Sequence, residues 1–305
     1  MTALGFIGGT GRLGQEIAKG LIKAEGFDSY KAFVRSPALG GETVQALQEL
    51  GFEIVDIDFD DKDALEDSFR GIKTLVSTIA GGALWKVETK VIPAAKKAGV
   101  SLFVPSQFGV DIARFGANHP FLKAKENVLT VAENEGLPVL KVTCGLFSDA
   151  FFEVTGDPFN GEAKLVESDA PAKVSFTRRS DVGFVLAKAL SDPEFSQGGT
   201  LAIAGETMTW KEALDVLVAE MPTVTFEVEK MSVDQAKSKV EEFMEKGENG
   251  DVWSSYKAFG LHLLVEPASG NNGLDMSESA KSYDLKMETL ADTLKEVYKM
   301  PEDED

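Results

Sequence analysis

The sequence predicts an α/β protein, a doubly wound parallel sheet with a smaller α+β cap, and three observations carry that expectation. Up to about residue 147, short β-branched or apolar runs alternate with segments long enough for crossover helices, as in a parallel sheet covered on both faces. The stretch GFIGGTGRLGQEIAKGL, Gly5 to Leu21, sets a cluster of glycines where the first strand hands over to the first helix. After Phe147 the spacings lengthen, and strand and helix candidates become isolated.

Taken in order, the strand runs are ALGFIG, YKAFVR, FEIVDID, TLVSTIA, SLFVPS and VLKVTC. The first helix opens at GQEIAKGLIKA. The run from Trp85 through Lys97 stops at Ala98-Gly99, and ENVLTVAENEG stops at Gly136 with Pro138 just beyond. Glycine accepts the left-handed turn that closes a helix, and proline cannot extend one. In the second half, TGDPFNGEAK reads as a loop, GGTLAIAG as a strand and TWKEALDVLVAEM as a helix. VDQAKSKVEEFMEKGENGD reads as a solvated helix running into a loop, and the tail PEDED as frayed. Residues 1–150 are expected to bind a dinucleotide, and 151–305 to form a substrate cap interleaved with them.

With 305 residues, 43% of them hydrophobic, the chain can bury a full core as one large domain or two fused ones. Its formal charge of -19 repels phosphodiester backbones and anionic lipid headgroups, which argues against nucleic acid and membrane surfaces as partners. No apolar run approaches a membrane span, and the N-terminus enters a strand without a basic leader, so the chain reads as cytoplasmic. A single cysteine, Cys144, fits a reducing compartment and reads as a small core residue. No metal site is expected.

Within Gly8-Gly9-Thr10-Gly11-Arg12-Leu13-Gly14 the spacing is G-x-x-G-x-x-G, directly after an apolar strand and at the start of a helix. Such a loop lets backbone N–H groups approach a pyrophosphate, whose charge then sits at the positive end of the helix. That is the Rossmann-type dinucleotide site. Ligands of such sheets lie outside the carboxyl ends of the strands, which brings in Ile79 and Ala80 at the end of the fourth. The second strand ends in Arg35, where an enzyme using an unphosphorylated ribose usually offers an acid; arginine favours a 2′-phosphate and hence NADPH. A solvated strand-end charge is the alternative at Arg35, and plain surface the alternative at Arg12.

Several segments together resemble the atypical short-chain dehydrogenases that include the isoflavone, pinoresinol-lariciresinol and phenylcoumaran benzylic ether reductases and the NmrA-like proteins. GGTGRLG resembles that family's GGTGxxG loop, FVRSP its arginine-bearing second strand, and VPSQFGVD its PSEFGxD. FTRRSDVGFVLAKALSDPE resembles its strand-then-helix segment with D-[IV]-G. The resemblance covers nearly the whole chain and implies a catalytic lysine in the helix after PSEFG. Counting back from the turn Glu135-Gly136-Leu137-Pro138 lands on Lys125, which is also a cofactor contact by the same likeness. Ordinary short-chain dehydrogenases carry Y-x-x-x-K here, whereas this chain has Phe121-Leu122-Lys123-Ala124-Lys125. Without the tyrosine hydroxyl, the resemblance leaves the proton chemistry to Lys125, directly or through water, with a pKa drawn toward neutrality by an apolar pocket. Lys123 points elsewhere on the helix. Two departures stand out: Gln107 replaces the glutamate of PSEFG, and the loop after Arg35 lacks a lysine that many of these reductases add to the 2′-phosphate site. His119 is either an acid or a helix-start capping residue.

The segment after the sixth strand offers Phe147, Phe151 and Phe152 as walls for an aromatic substrate, with core packing as the alternative for each. Trp253, Tyr256 and Phe259 are candidates to close the pocket. The expected activity is hydride transfer from NADPH to a small, aromatic molecule. A non-enzymatic NmrA-like dinucleotide sensor with a protein partner is the rival; it needs the glycine loop and no lysine at 125. An epimerase is disfavoured by the missing tyrosine.

Overall fold

The computed structural model of the chain describes residues 2–81, 83–151, 162–167, 172–249 and 251–297. Its first body alternates strands and helices: β1 (Ala3–Ile7), α1 (Arg12–Leu21), β2 (Ser29–Val34), α2 (Glu42–Glu49), β3 (Glu53–Asp56), α3 (Lys62–Ser68), β4 (Ile72–Ser77), α4 (Ala83–Ala98), β5 (Leu102–Val104), α5 (Ile112–Phe115), α6 (Pro120–Asn134) and β6 (Leu140–Thr143). The sheet runs β3-β2-β1-β4-β5, every neighbouring pair parallel. All five residues of β1 are buried, because helices cover both faces of a parallel sheet. Leu4 and Phe6 meet Ile17 and Leu21 of α1, while Ile7 faces a second core with Phe69, Val91, Ile92 and Val128.

The strand order reverses at β1, which has β2 on one side and β4 on the other. In sheets of this kind the ligand crevice lies at the carboxyl ends of the strands flanking such a reversal, here β1 and β4. The glycine loop leaves β1 at this point, and Thr78, Ile79 and Ala80 leave β4 beside it.

The first body reaches beyond residue 150. β6 touches β5 through a parallel bridge between Phe103 and Val139, and then pairs in parallel with Gly199–Ala202. The sequence assigned that strand, in GGTLAIAG, to the cap; Leu201 and Ile203 instead join the core of Leu4 and Phe6. The helix Arg179–Ala189 packs on α1, with Gly20 and Gly183 meeting so closely that neither position has room for a Cβ.

The cap has its own core, in which Phe115, Phe151, Phe176, Trp210, Leu214 and Leu264 are buried together. Its helices begin where the sequence supplies caps. Thr209 Oγ1 accepts the Glu212 N–H at 3.2 Å while Glu212 Oε2 accepts the Thr209 N–H at 2.7 Å, opening Trp210–Glu220. Ser232 and Gln235 do the same for Val233–Glu248, which is solvated along most of its length as expected. Among the described residues no helix is long and apolar enough to cross a membrane.

Candidate dinucleotide and proton-transfer site

The glycines of the loop answer to different neighbours. Gly8 has φ +84°, and a Cβ there would meet Thr78 Oγ1 at 2.8 Å, so only glycine lets the loop turn against the end of β4. A Cβ on Gly14 would overlap the Gly8 carbonyl oxygen and stand 2.8 Å from Gly9 Cα. At Gly11 a Cβ would meet nothing nearer than that same oxygen at 3.3 Å, leaving the loop's outer side open for a ligand. The loop closes on itself through the Gly11 N–H to the Gly8 carbonyl at 3.0 Å, and Thr78 donates its N–H to the Ile7 carbonyl at 2.9 Å. Thr10 is half-buried, Arg12 exposed and Leu13 half-buried against the sheet core. Ile79 is half-buried and Ala80 exposed, both just past the end of β4. This cradle of backbone at a helix start fits a dinucleotide pyrophosphate. Arg35 lies exposed just past the end of β2, two strands' width from β4.

Across the crevice, α4 and α6 pack together behind β4 and β5. The segment Ser106-Gln107-Phe108, which follows β5, ties them. Glu88 of α4 accepts the Ser106 N–H through Oε1 at 2.9 Å, Gln107 Nε2 donates to the Lys125 carbonyl at 3.0 Å, and Lys125 Nζ donates to the Phe108 carbonyl at 2.8 Å. Burial lowers the pKa of Lys125 to about 8, opposed by Cys144 and Glu88. Burial of Cys144 pushes its thiol up to about 12, so it carries no charge when Lys125 titrates; the carboxylate of Glu88 is the charge that matters. Glu88 itself is 0% exposed, and burial raises it to about 7 against the pull of Ser77, Ser106 and Lys125.

Glu88 was not singled out from the sequence, although the signal was there. It shares one face of α4 with Leu84, Val91, Ile92 and Ala95, all buried. A carboxylate on an apolar stripe is the exception that asks for a reason.

His119 resolves as a cap. Its Nδ1 accepts the Phe121 N–H at 3.3 Å at the start of α6, and its ring packs 5.0 Å from Phe259 and 5.9 Å from His262. Burial, with His262 adding to it, lowers the pKa to about 4, so the ring is neutral near pH 7 and no acid. Lys123 is exposed and paired with Glu126. Tyr256 stands 50% exposed with its ring 5.6 Å from Phe121, and its hydroxyl reaches toward Gly81 beyond β4. Phe259 joins the same cluster at 5.6 Å from Phe121. The Trp253 side chain and Phe152 lie outside the described residues.

Of the remaining phenylalanines, Phe147 is half-buried beneath the Arg179 guanidinium, 5.4 Å from the ring centre. Phe151 corrects the expectation of a substrate wall. It is 2% exposed, with Phe176 at 5.7 Å and Trp210 at 6.1 Å, because the backbone turns it into the cap core. Phe151→Ala is therefore expected to cost about 3–5 kcal/mol of stability, read by denaturant unfolding. A stable variant with changed ligand affinity would return Phe151 to the pocket.

Residues 2–294 match the NmrA-like family, the same family that the glycine loop and VPSQFGVD resemble. The chain belongs to it. Isoflavone reductase homolog P3 of Arabidopsis thaliana is 31% identical over 203 residues, which cover 61% of this NmrA-like chain and 64% of that protein. Phenylcoumaran benzylic ether reductase Pyrc5 of Pyrus communis is 30% identical over 200 residues, covering 62% and 64%. The matched segments span less than two thirds of either relative's length. A solved structure, AtPrR2 with NADP+ and (+)pinoresinol, superposes with a TM-score of 0.78 at 22% identity, covering 97% of this chain and 98% of that one, and shares the fold.

Proposed function

We propose that this NmrA-like protein is an NADPH-dependent reductase of a small aromatic molecule, with Lys125 as its proton donor. The observation that carries the reading is the Lys125 ammonium, half-buried, held on the Phe108 carbonyl and drawn down to about 8. A dinucleotide sensor has no use for such a group. The relatives named as isoflavone and phenylcoumaran benzylic ether reductases, and the AtPrR2 structure with NADP+ and (+)pinoresinol, support the cofactor and an aromatic substrate class.

NADPH, when bound, supplies the hydride. The residues Gly8 to Gly14 would receive its pyrophosphate, Ile79 and Ala80 would border it at the end of β4, and Arg35 would pair with the 2′-phosphate. Lys125 would donate the proton to the reduced substrate, a role that asks for an amine protonated near neutral pH. Phe147, Tyr256 and Phe259 are the aromatic surfaces offered to the substrate.

NADPH is expected to bind about ten- to a hundredfold more tightly than NADH, since a charge-assisted contact such as Arg35 to phosphate contributes about 1.5–3 kcal/mol. Calorimetric titration of both cofactors into wild type and Arg35→Ala checks this. Arg35→Ala should erase the preference by weakening NADPH alone; equal affinities in the wild type would refute the assignment.

A further inference from the structure

We propose that Glu88 is a positioning residue for Lys125: its buried carboxylate, fixed to the Ser106–Phe108 segment whose last carbonyl holds Lys125 Nζ, keeps that amine in its charged form. The inference rests on the reading of Lys125 as the proton donor.

Three consecutive residues carry the coupling, so it does not depend on chance proximity. Ser106 donates to Glu88, Gln107 donates to the Lys125 backbone, and Phe108 accepts from Lys125 Nζ. Displacing the Glu88 carboxylate would loosen the segment at one end and move the amine's acceptor at the other. Glu88 Oε2 is buried, with the Ser77 side chain as a neutral polar neighbour and no partner at good hydrogen-bond geometry among the described residues. A carboxylate buried in this way is costly unless a cation answers it, and a neutral hydrogen-bonding side chain would have held the Ser106 N–H as well. What only a carboxylate adds is charge.

That charge stands where this chain departs from the reductase pattern. The glutamate of PSEFG is replaced by Gln107, which is buried and spends its amide on the Lys125 carbonyl. The negative group absent from the loop is supplied one helix away, from α4. Among the described residues no other charged group faces the amine. Cys144 keeps its proton to about 12, with Asp149 beyond it, His119 at the start of α6 is neutral, and on α6 Lys123 and Glu126 pair with each other at the surface. Ser77 and the Ser106 N–H are the neutral groups on the Glu88 side.

Removing the Glu88 charge leaves burial unopposed, so the Lys125 pKa should fall. Removing the Lys125 charge should raise that of Glu88. The test is a carbon-13 NMR titration of the full-length, cofactor-free protein labelled at lysine Cε and glutamate Cδ, with Lys125→Met and Glu88→Gln also serving to assign the two signals. In Glu88→Gln the Lys125 midpoint should fall by about one pH unit, the low end of the shift an adjacent opposite charge produces. In Lys125→Met the Glu88 midpoint should rise by a similar amount. If Glu88→Gln does not fold, the Lys125→Met arm decides alone. Midpoints unchanged in either folded variant would overturn the proposal and leave Glu88 a structural acceptor for Ser106. Because no cofactor or substrate enters the experiment, its outcome is separable from that of the reductase reading, which stands or falls on NADPH-dependent turnover.

Discussion

Lys125→Met is expected to lower turnover by about 10² to 10⁴ while leaving NADPH affinity within a few fold, the range usual for a positioned general acid. Methionine keeps the length and apolar stem of lysine and deletes only the ammonium, so α6 should hold its place through Leu122, Val128 and Ala132, which stay buried. The pH profile of the wild type carries the same information with a definite sign. A proton donor with a pKa of about 8 is active in its charged form, so kcat/KM should be level near pH 7 and fall as pH rises through about 8. Steady-state oxidation of NADPH, after a screen of aromatic ketones, enones and benzylic ethers for a substrate, provides both readings. Wild-type turnover in the variant would remove the chemistry from this residue. His119 would not inherit it, since its ring is neutral and occupied as a cap.

The second large effect separates two glycines that look alike in the sequence. Gly11→Val should fold with near wild-type stability but bind no NADPH, because its side chain enters the open side of the loop. Gly14→Val should lose both, because even a Cβ overlaps the Gly8 carbonyl and the loop must leave α1; overpacking of this kind costs about 1–3 kcal/mol. Thermal unfolding with and without NADPH resolves the two. At a hundred times its Kd the cofactor stabilises the wild type by about 2.7 kcal/mol, a gain neither variant should show. A full ligand-induced shift in Gly11→Val would make the loop only a turn.

These cases show where the sequence was legible. The parallel sheet was readable because each strand through β5 is a local apolar run bounded by its own helix, and that alternation implies right-handed parallel crossovers. The strand Gly199–Ala202 carried the same local signal, yet its partner β6 is set by where Leu201 and Ile203 find a core, which no local pattern states. Spacing announced the glycine loop without distinguishing a glycine needed by Gly8 from one that leaves room for a ligand. Lys125 came from likeness to a family motif, and the structure adds the burial that lowers its pKa and the Phe108 carbonyl that holds its amine. Glu88 was visible as a misplaced charge on the apolar stripe of α4, but its purpose lay in Ser106 and Lys125, distant in the chain. Phe151 misled because a phenylalanine after the last strand fits a pocket wall or a core equally well until the backbone turn is known.

The central claim is that hydride passes from NADPH to a small aromatic acceptor beside Lys125, and mass spectrometry of the product tests it most directly. With NADPH deuterated at the transferring position of nicotinamide C4, a turned-over substrate should gain one deuterium at carbon, and Lys125→Met should slow that transfer without changing where the label lands. Tight NADPH binding with no deuterium delivered to any compound of the screen would contradict the account and leave the protein a dinucleotide sensor.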